Sequence, residues 1–371
     1  MRRAVYLVIG FVVMCFNSLY QYTWNLLGPM LGRQLGIGAV LVATGFSIYV
    51  VASTLAQPVG GGLADARGPK AVGMAAAVLS AFGFIGAALA PDLPTLYAAW
   101  ALGSIGEGVL YGIAFNLAVK WYRDKMGLAT GLVSLGFGLG SAVANPMIAL
   151  AGDFREVALT IGAVELAALP ALMSLAEYPR GLSGKTPAQA ARDARFWLLY
   201  ASYALGSVPL LTLASSLHLL SSGGQLVLLA SIYPLMVGVA RPILGKVADE
   251  WGVLNTIYVG LGASMLGAAL FALGLAAAGT VLIGLFGGSL IVLYLNAASK
   301  IFGARYATAN NGVLYTGKAV GGVLGSLAFS YIYTAVGEGG AIAFAFASAA
   351  AATLLLTALR HYSNEEFNNS L

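Results

Sequence analysis

A chain of 371 residues that is 59% hydrophobic and only 9% charged, with a mean hydropathy of +0.86, carries more apolar surface than a soluble core can absorb and reads as a polytopic membrane protein. Its one cysteine, Cys15, excludes a disulfide framework and a cysteine metal site, and its only histidines, His218 at a span end and His361 in the tail, leave no basis for a metal, a cofactor or an enzyme active site. The formal net charge of +5 is spread over short loops, so it reports topology and not a nucleic-acid partner.

In chain order, apolar segments of spanning length run over 4–31, 38–61, 71–90, 94–119, 128–151 and 156–175. After a polar stretch over 177–195 six more follow, over 196–220, 225–247, 254–276, 280–301, 308–334 and 340–359. The expected architecture is therefore an all-α membrane protein with twelve transmembrane helices in two pseudo-symmetric six-helix bundles, 1–176 and 196–371, joined by a cytoplasmic linker at 177–195. With both termini cytoplasmic, fifteen of the nineteen lysines and arginines fall on inner tails and loops, and only Arg33 and Arg155 fall outside. The partner this implies is the lipid bilayer of the cell membrane, and the chain is read as a monomer.

The two remaining basic residues, Arg241 and Lys318, lie inside spans, where a charge is costly and by default marks a functional site. Lys318 stands about ten residues from the polar cluster at Asn310, roughly 15 Å at helical rise, which is beyond a comfortable snorkel. Tyr315, three residues earlier, shares its helix face. Gly317, Gly321 and Gly325 recur every fourth residue, a stripe on which another helix can pack closely. Arg241 is only five residues from Lys246 and has the shorter route to the inner interface.

The halves repeat at an offset of about 180 residues. Gln57-Pro-Val-Gly-Gly-Gly-Leu-Ala-Asp65 aligns with Arg241-Pro-Ile-Leu-Gly-Lys-Val-Ala-Asp249, and each continues to a glycine, Gly68 and Gly252. Asn116-Leu-Ala-Val-Lys120 aligns with Asn296-Ala-Ala-Ser-Lys300. Parallel six-span repeats resemble the plan of the major facilitator superfamily, whose site lies near the midplane between the halves. The repeat sets Arg241 against neutral Gln57, so both intramembrane cations belong to the second half and read as one anion-binding constellation. The Gly-x-x-x-Asp-x-x-Gly loops resemble that superfamily's signature, which implies gate and hinge roles for Asp65, Arg67, Lys70 and Asp249.

Tyr111-Gly-Ile-Ala-Phe-Asn-Leu-Ala-Val-Lys-Trp-Tyr-Arg-Asp-Lys-Met-Gly-Leu-Ala-Thr-Gly131, with Leu135-Gly-Phe-Gly-Leu-Gly-Ser141 and Tyr315-Thr-Gly-Lys318, resembles the oxalate/formate antiporter family, itself related to monocarboxylate porters. The resemblance implies a secondary carrier of small organic anions such as formate, oxalate, lactate or pyruvate, working by alternating access. By position it gives Arg241 the role of a guanidinium fork and Lys318 that of a point charge on carboxylate. Tyr22, Tyr111 and Tyr315 would form cavity walls, with Gln21 and Gln57 as donors. Span ten departs from oxalate-handling relatives: its Gly287-Gly-Ser-Leu290 suggests a roomier cavity lined by Ser289 and Leu290, suited to a monocarboxylate with an apolar tail. Glu107 departs as well. It lies one helical turn before Tyr111 and is a candidate for coupling anion uptake to a proton, which keeps proton symport open beside exchange. Glu165 in the sixth span reads as peripheral, although its cost there calls for a partner. From another class, a non-transporting membrane sensor or scaffold is the further alternative.

Overall fold

The computed structural model describes residues 2–221 and 223–369 and is helical nearly throughout. The first span comprises α1 (Arg2–Tyr22) and α2 (Trp24–Leu35). They meet at Thr23, whose hydroxyl bonds back to the Leu19 carbonyl, a contact that bends helices. Next come α3 (Ala39–Arg67) and α4 (Pro69–Leu89), separated by Gly68 at φ 88°. α5 (Leu93–Trp121) starts at Asp92, whose side chain accepts the Thr95 amide. α6 (Met126–Ala151) and α7 (Phe154–Met173) complete the first half, α7 starting at Asp153 with the same kind of cap.

The polar linker holds one short helix, α8 (Pro187–Ala191), fixed by a capping box between Thr186 and Gln189. α9 (Ala194–Gly206) and α10 (Val208–Leu220) form one span interrupted at Ser207. α11 (Gly223–Trp251) ends at Gly252, φ 96°, before α12 (Val253–Ala272). The two signature loops therefore end on glycine for one reason: the chain reverses between consecutive spans through a backbone conformation that L side chains rarely adopt. α13 (Ala276–Leu282) passes through a π turn at Ile283–Gly287 into α14 (Gly288–Phe302). α15 (Ala307–Tyr315), α16 (Gly317–Val323), a second π turn at Leu324–Ala328 and α17 (Phe329–Val336) make the eleventh span, and α18 (Glu338–Asn369) the last.

Among the described residues ten helical runs are long and apolar enough to cross a membrane. α3 and α11, at 29 residues each, supply the other two, since at helical rise each spans roughly 43 Å against a hydrocarbon core of roughly 30 Å. This is the expected twelve-helix plan.

The chain packs as two compact units. Unit 1 comprises Met1–Asp124, Leu132–Gly184 and Ala304–Val313, and unit 2 comprises Lys125–Gly131, Lys185–Gly303 and Leu314–Leu371. Each unit thus includes a short segment from the opposite half of the sequence. In unit 1, α4 and α5 cross so closely that a methyl on Gly83 would lie 2.6 Å from the Gly103 Cα. Beside that crossing sits an aromatic cluster of Tyr20, Trp24, Tyr49, Phe84 and Trp100, with Tyr20 and Phe84 centroids 4.4 Å apart.

In unit 2 the small-residue stripe of the eleventh span packs onto α9 and α10. A methyl on Gly317 would meet the Tyr203 ring at 2.9 Å, one on Gly321 the Ser207 hydroxyl and the Ala204 carbonyl, and one on Gly325 the Val208 carbonyl at 2.9 Å. Close backbone approach replaces the hydrophobic drive that lipid cannot supply between helices.

Candidate functional site

Unit 2 buries both intramembrane cations. Arg241 on α11 is 3% exposed and Lys318 on α16 is 6% exposed. The Arg241 Nε donates to the Gly288 carbonyl at 3.3 Å, at the junction of the first π turn and α14. That junction comes close because span ten presents glycines: a methyl on Gly288 would lie 2.9 Å from the Val237 Cα, and one on Gly284 3.4 Å from Met236 Cβ. Of the glycines expected to widen a cavity, Gly288 is thus taken up by α11, and Gly287 faces Ser264 of α12, where a methyl would lie 2.9 Å from the hydroxyl. Leu290 turns the other way, its Cδ2 lying 2.7 Å from where a methyl on Gly260 would be, and Ser289 donates to the Leu285 carbonyl. Tyr294 is fully buried with its hydroxyl 2.6 Å from that of Ser202, a contact between helices.

The ammonium of Lys318 donates to the Tyr315 hydroxyl at 3.0 Å, with the ring centroid 5.1 Å away. The two residues share a face, and the phenol oxygen accepts without cancelling the charge. Arg241 and Lys318 are the buried cations of unit 2 among its described residues.

Unit 1 buries acids. Glu107 on α5 is 1% exposed and accepts from the Ser53 hydroxyl of α3 at 2.5 Å. Glu165 on α7 is fully buried and accepts from Ser80 of α4 at 2.9 Å. Tyr111 is buried and Tyr22 half-buried, and each meets Phe137 edge-on at 5.5 Å. Gln21 accepts from the Tyr49 hydroxyl at 3.4 Å. Gln57 is 3% exposed, and its amide nitrogen has no hydrogen-bond partner among the described residues.

The gate candidates are held in two ties of similar plan. Inside unit 1, Asp65 accepts the Ala309 amide at 2.9 Å, capping the start of α15, and receives the Lys120 ammonium at 2.6 Å. Lys120 also donates to the Arg305 carbonyl at 2.8 Å and lies 4.1 Å over the Tyr178 ring, whose hydroxyl is 3.0 Å from that of Thr308. One turn inward, Asn311 donates to Asn116 at 3.0 Å. Arg67 and Lys70 are exposed.

Inside unit 2, Asp249 accepts the amides of Gly127 and Leu128 at 2.8 and 2.9 Å, at the start of α6, with the Lys300 ammonium 3.7 Å away. Asn296 donates to Thr130 at 2.8 Å. Carboxylates at helix N-termini satisfy otherwise unpaired amides and meet the positive end of the helix dipole. Lys120 is the cation on Asp65, and its signal was its match to Lys300 in the repeat.

Residues 7–272 match the Major Facilitator Superfamily. The chain belongs to that superfamily. It is 65% identical over 358 residues to an uncharacterized 38 kDa protein in the 23S RNA operon of Thermoproteus tenax, with 96% of each chain covered. It is 31% identical over 355 residues to the oxalate:formate antiporter of Oxalobacter formigenes, covering 87% of this chain and 83% of that one. The crystal structure of the fucose:proton symporter FucP of Escherichia coli matches with a TM-score of 0.71 at 13% identity, over 95% of this chain and 99% of that one, a likeness of fold. This facilitator is a multi-pass membrane transporter and not an enzyme. Among its described residues no group of histidines, cysteines and carboxylates is placed to hold a metal ion.

Proposed function

We propose that this facilitator is a secondary carrier of small organic anions, mono- or dicarboxylates, in which Arg241 and Lys318 hold the carboxylate and Tyr315 positions the lysine. The observation that carries the reading is the burial of two cations in one unit, since such charges in a membrane protein are retained for ligands or ion pathways. The oxalate:formate antiporter relative supports carboxylate as the anion and exchange as the mode. Transport proceeds by alternating access, with the loops that carry Asp65, Arg67, Lys70 and Asp249 governing the inner gate.

Proteoliposomes loaded with oxalate, formate, acetate, lactate or pyruvate test this. Labelled-anion uptake that needs an internal counter-anion and disappears in Lys318→Gln supports the reading. Transport of neutral sugars or amines, with Lys318→Gln still active, defeats it. The buried Glu107 favours a second mode, proton symport, which predicts uptake into anion-free vesicles, stimulated by outside acid and lost in Glu107→Gln. Parallel substitutions of Tyr22, Tyr111, Gln21 and Gln57 report whether unit 1 adds to recognition. A monomer in the cell membrane with cytoplasmic termini completes the proposal.

A further inference from the structure

Glu165 was expected to be peripheral, yet it is fully buried in unit 1. Ser80 of α4 donates to its Oε2 at 2.9 Å, while Oε1 has no hydrogen-bond partner among the described residues. The Ser80 carbonyl accepts the Tyr20 hydroxyl of α1 at 2.5 Å, and that hydroxyl is wedged against Gly83 of α4 and Gly103 of α5. The titratable groups on the elements packed around Glu165 are Tyr20 of α1 and Glu107 of α5, whose neighbour Gly106 would place a methyl 2.5 Å from the Ser80 amide nitrogen. Neither is cationic.

An ionised carboxylate needs water, a cation or several donors. Glu165 has one donor and, among the described residues, one oxygen without a partner. A carboxyl so placed keeps its proton, because burial without compensating donors disfavours the carboxylate.

We propose that Glu165 is a proton-binding site, holding its proton as a neutral carboxylic acid. The proton leaves when water reaches the carboxyl during the cycle: the Glu165 O–H bond breaks, its electron pair stays on the carboxylate, and water takes the proton until the site closes again. This coupling rests on the carrier reading above. It makes the proton ligand of unit 1 a companion to the anion ligand of unit 2, and it shifts the proton from Glu107 to Glu165.

Infrared spectroscopy of the purified protein in liposomes at neutral pH tests the site without transport, because exposed carboxyls are then ionised. The expected result is a protonated-carboxyl C=O band that is abolished in Glu165→Gln, retained in Glu107→Gln and shifted to higher frequency in Ser80→Ala, which removes the donor and leaves the acid. A band that survives Glu165→Gln, disappears only in Glu107→Gln or ignores Ser80→Ala overturns the assignment. Uptake driven by outside acid should lose its pH dependence in Glu165→Gln, and unchanged pH dependence overturns the coupling. A wild-type protein that moves no carboxylate defeats the carrier reading instead and leaves the band assignment standing.

Discussion

Lys120 and Asp65 form a buried ion pair, 2.6 Å apart with each side chain 1% exposed, at the point where α3, α5 and the start of α15 meet in unit 1. Removing one member of such a pair leaves the other charge buried alone, a loss of about 3–5 kcal/mol. Lys120→Met should therefore sharply lower the melting temperature in detergent. The double variant Lys120→Met/Asp65→Asn should be more stable than the sum of the two single losses, with a coupling of roughly 0.5–3 kcal/mol in the cycle.

Asp249 does related work mainly through backbone amides, because its lysine stands 3.7 Å off and is partly exposed. Asp249→Ala should cost about 1–2 kcal/mol as a lost N-terminal cap, and Lys300→Met about 0–1 kcal/mol as a weak, partly exposed pair. Thermal unfolding of the two variants side by side checks the order.

At the anion site, Arg241→Lys keeps the charge and loses the planar fork, so anion affinity should fall about tenfold or more, the loss of a charge-assisted hydrogen bond. Lys318→Gln should lose transport. Tyr315→Phe should weaken affinity less than Lys318→Gln, since it removes the acceptor at 3.0 Å and leaves the ring and the ammonium. Counterflow kinetics with oxalate and formate measure all three.

Gly321 and its neighbour Gly322 separate packing from composition. A methyl at Gly321 would run into Ser207 and Ala204, whereas one at Gly322 would meet only the Leu211 Cδ1, 4.0 Å away. Gly321→Ala should destabilise by about 1–3 kcal/mol through overpacking, and Gly322→Ala should stay within about 0.5 kcal/mol. Survival of folded protein after heating in detergent distinguishes them.

In the linker, Asp193 accepts from Arg195 and Lys185 and caps α9 through the Arg195 amide. The Arg195 hydrogen bonds, ahead of those from Lys185 and the amide, hold its carboxyl well below the ordinary range, despite some burial that pushes the other way. A carboxyl held low in the folded state contributes stability above its unfolded value, and that contribution is lost as pH falls through the folded value. The clamp should therefore be intact at pH above roughly 4 and fade only in stronger acid, where pepsin begins to cut at 185–195. Asp193→Asn should be cut there already at mildly acid pH.

Much of the fold was legible because hydropathy and spacing are local. A run of apolar residues must be a span wherever it sits, and the aligned Asp65 and Asp249, Asn116 and Asn296, Lys120 and Lys300 carried the repeat in plain view. The identity of the cations was legible too, since Arg241 and Lys318 stand out against an apolar background. Their hydrogen-bond partners were less so: Tyr315 lies one turn before Lys318 in the same span, but the Gly288 carbonyl is 47 positions from Arg241 in sequence. Glu165 announced its cost without its partner, because Ser80 comes from another span.

The sequence alone determined the solvent, the number of crossings, the repeat and the charges inside the membrane, all of which follow from side-chain chemistry and helical period. The tertiary structure decided which glycines receive a neighbouring backbone, where π turns interrupt spans ten and eleven, and that 304–313 packs in unit 1 and 125–131 in unit 2. Those outcomes depend on which backbones approach one another, and close approach between helices is settled by the fit of two surfaces at once, which no single stretch of chain encodes.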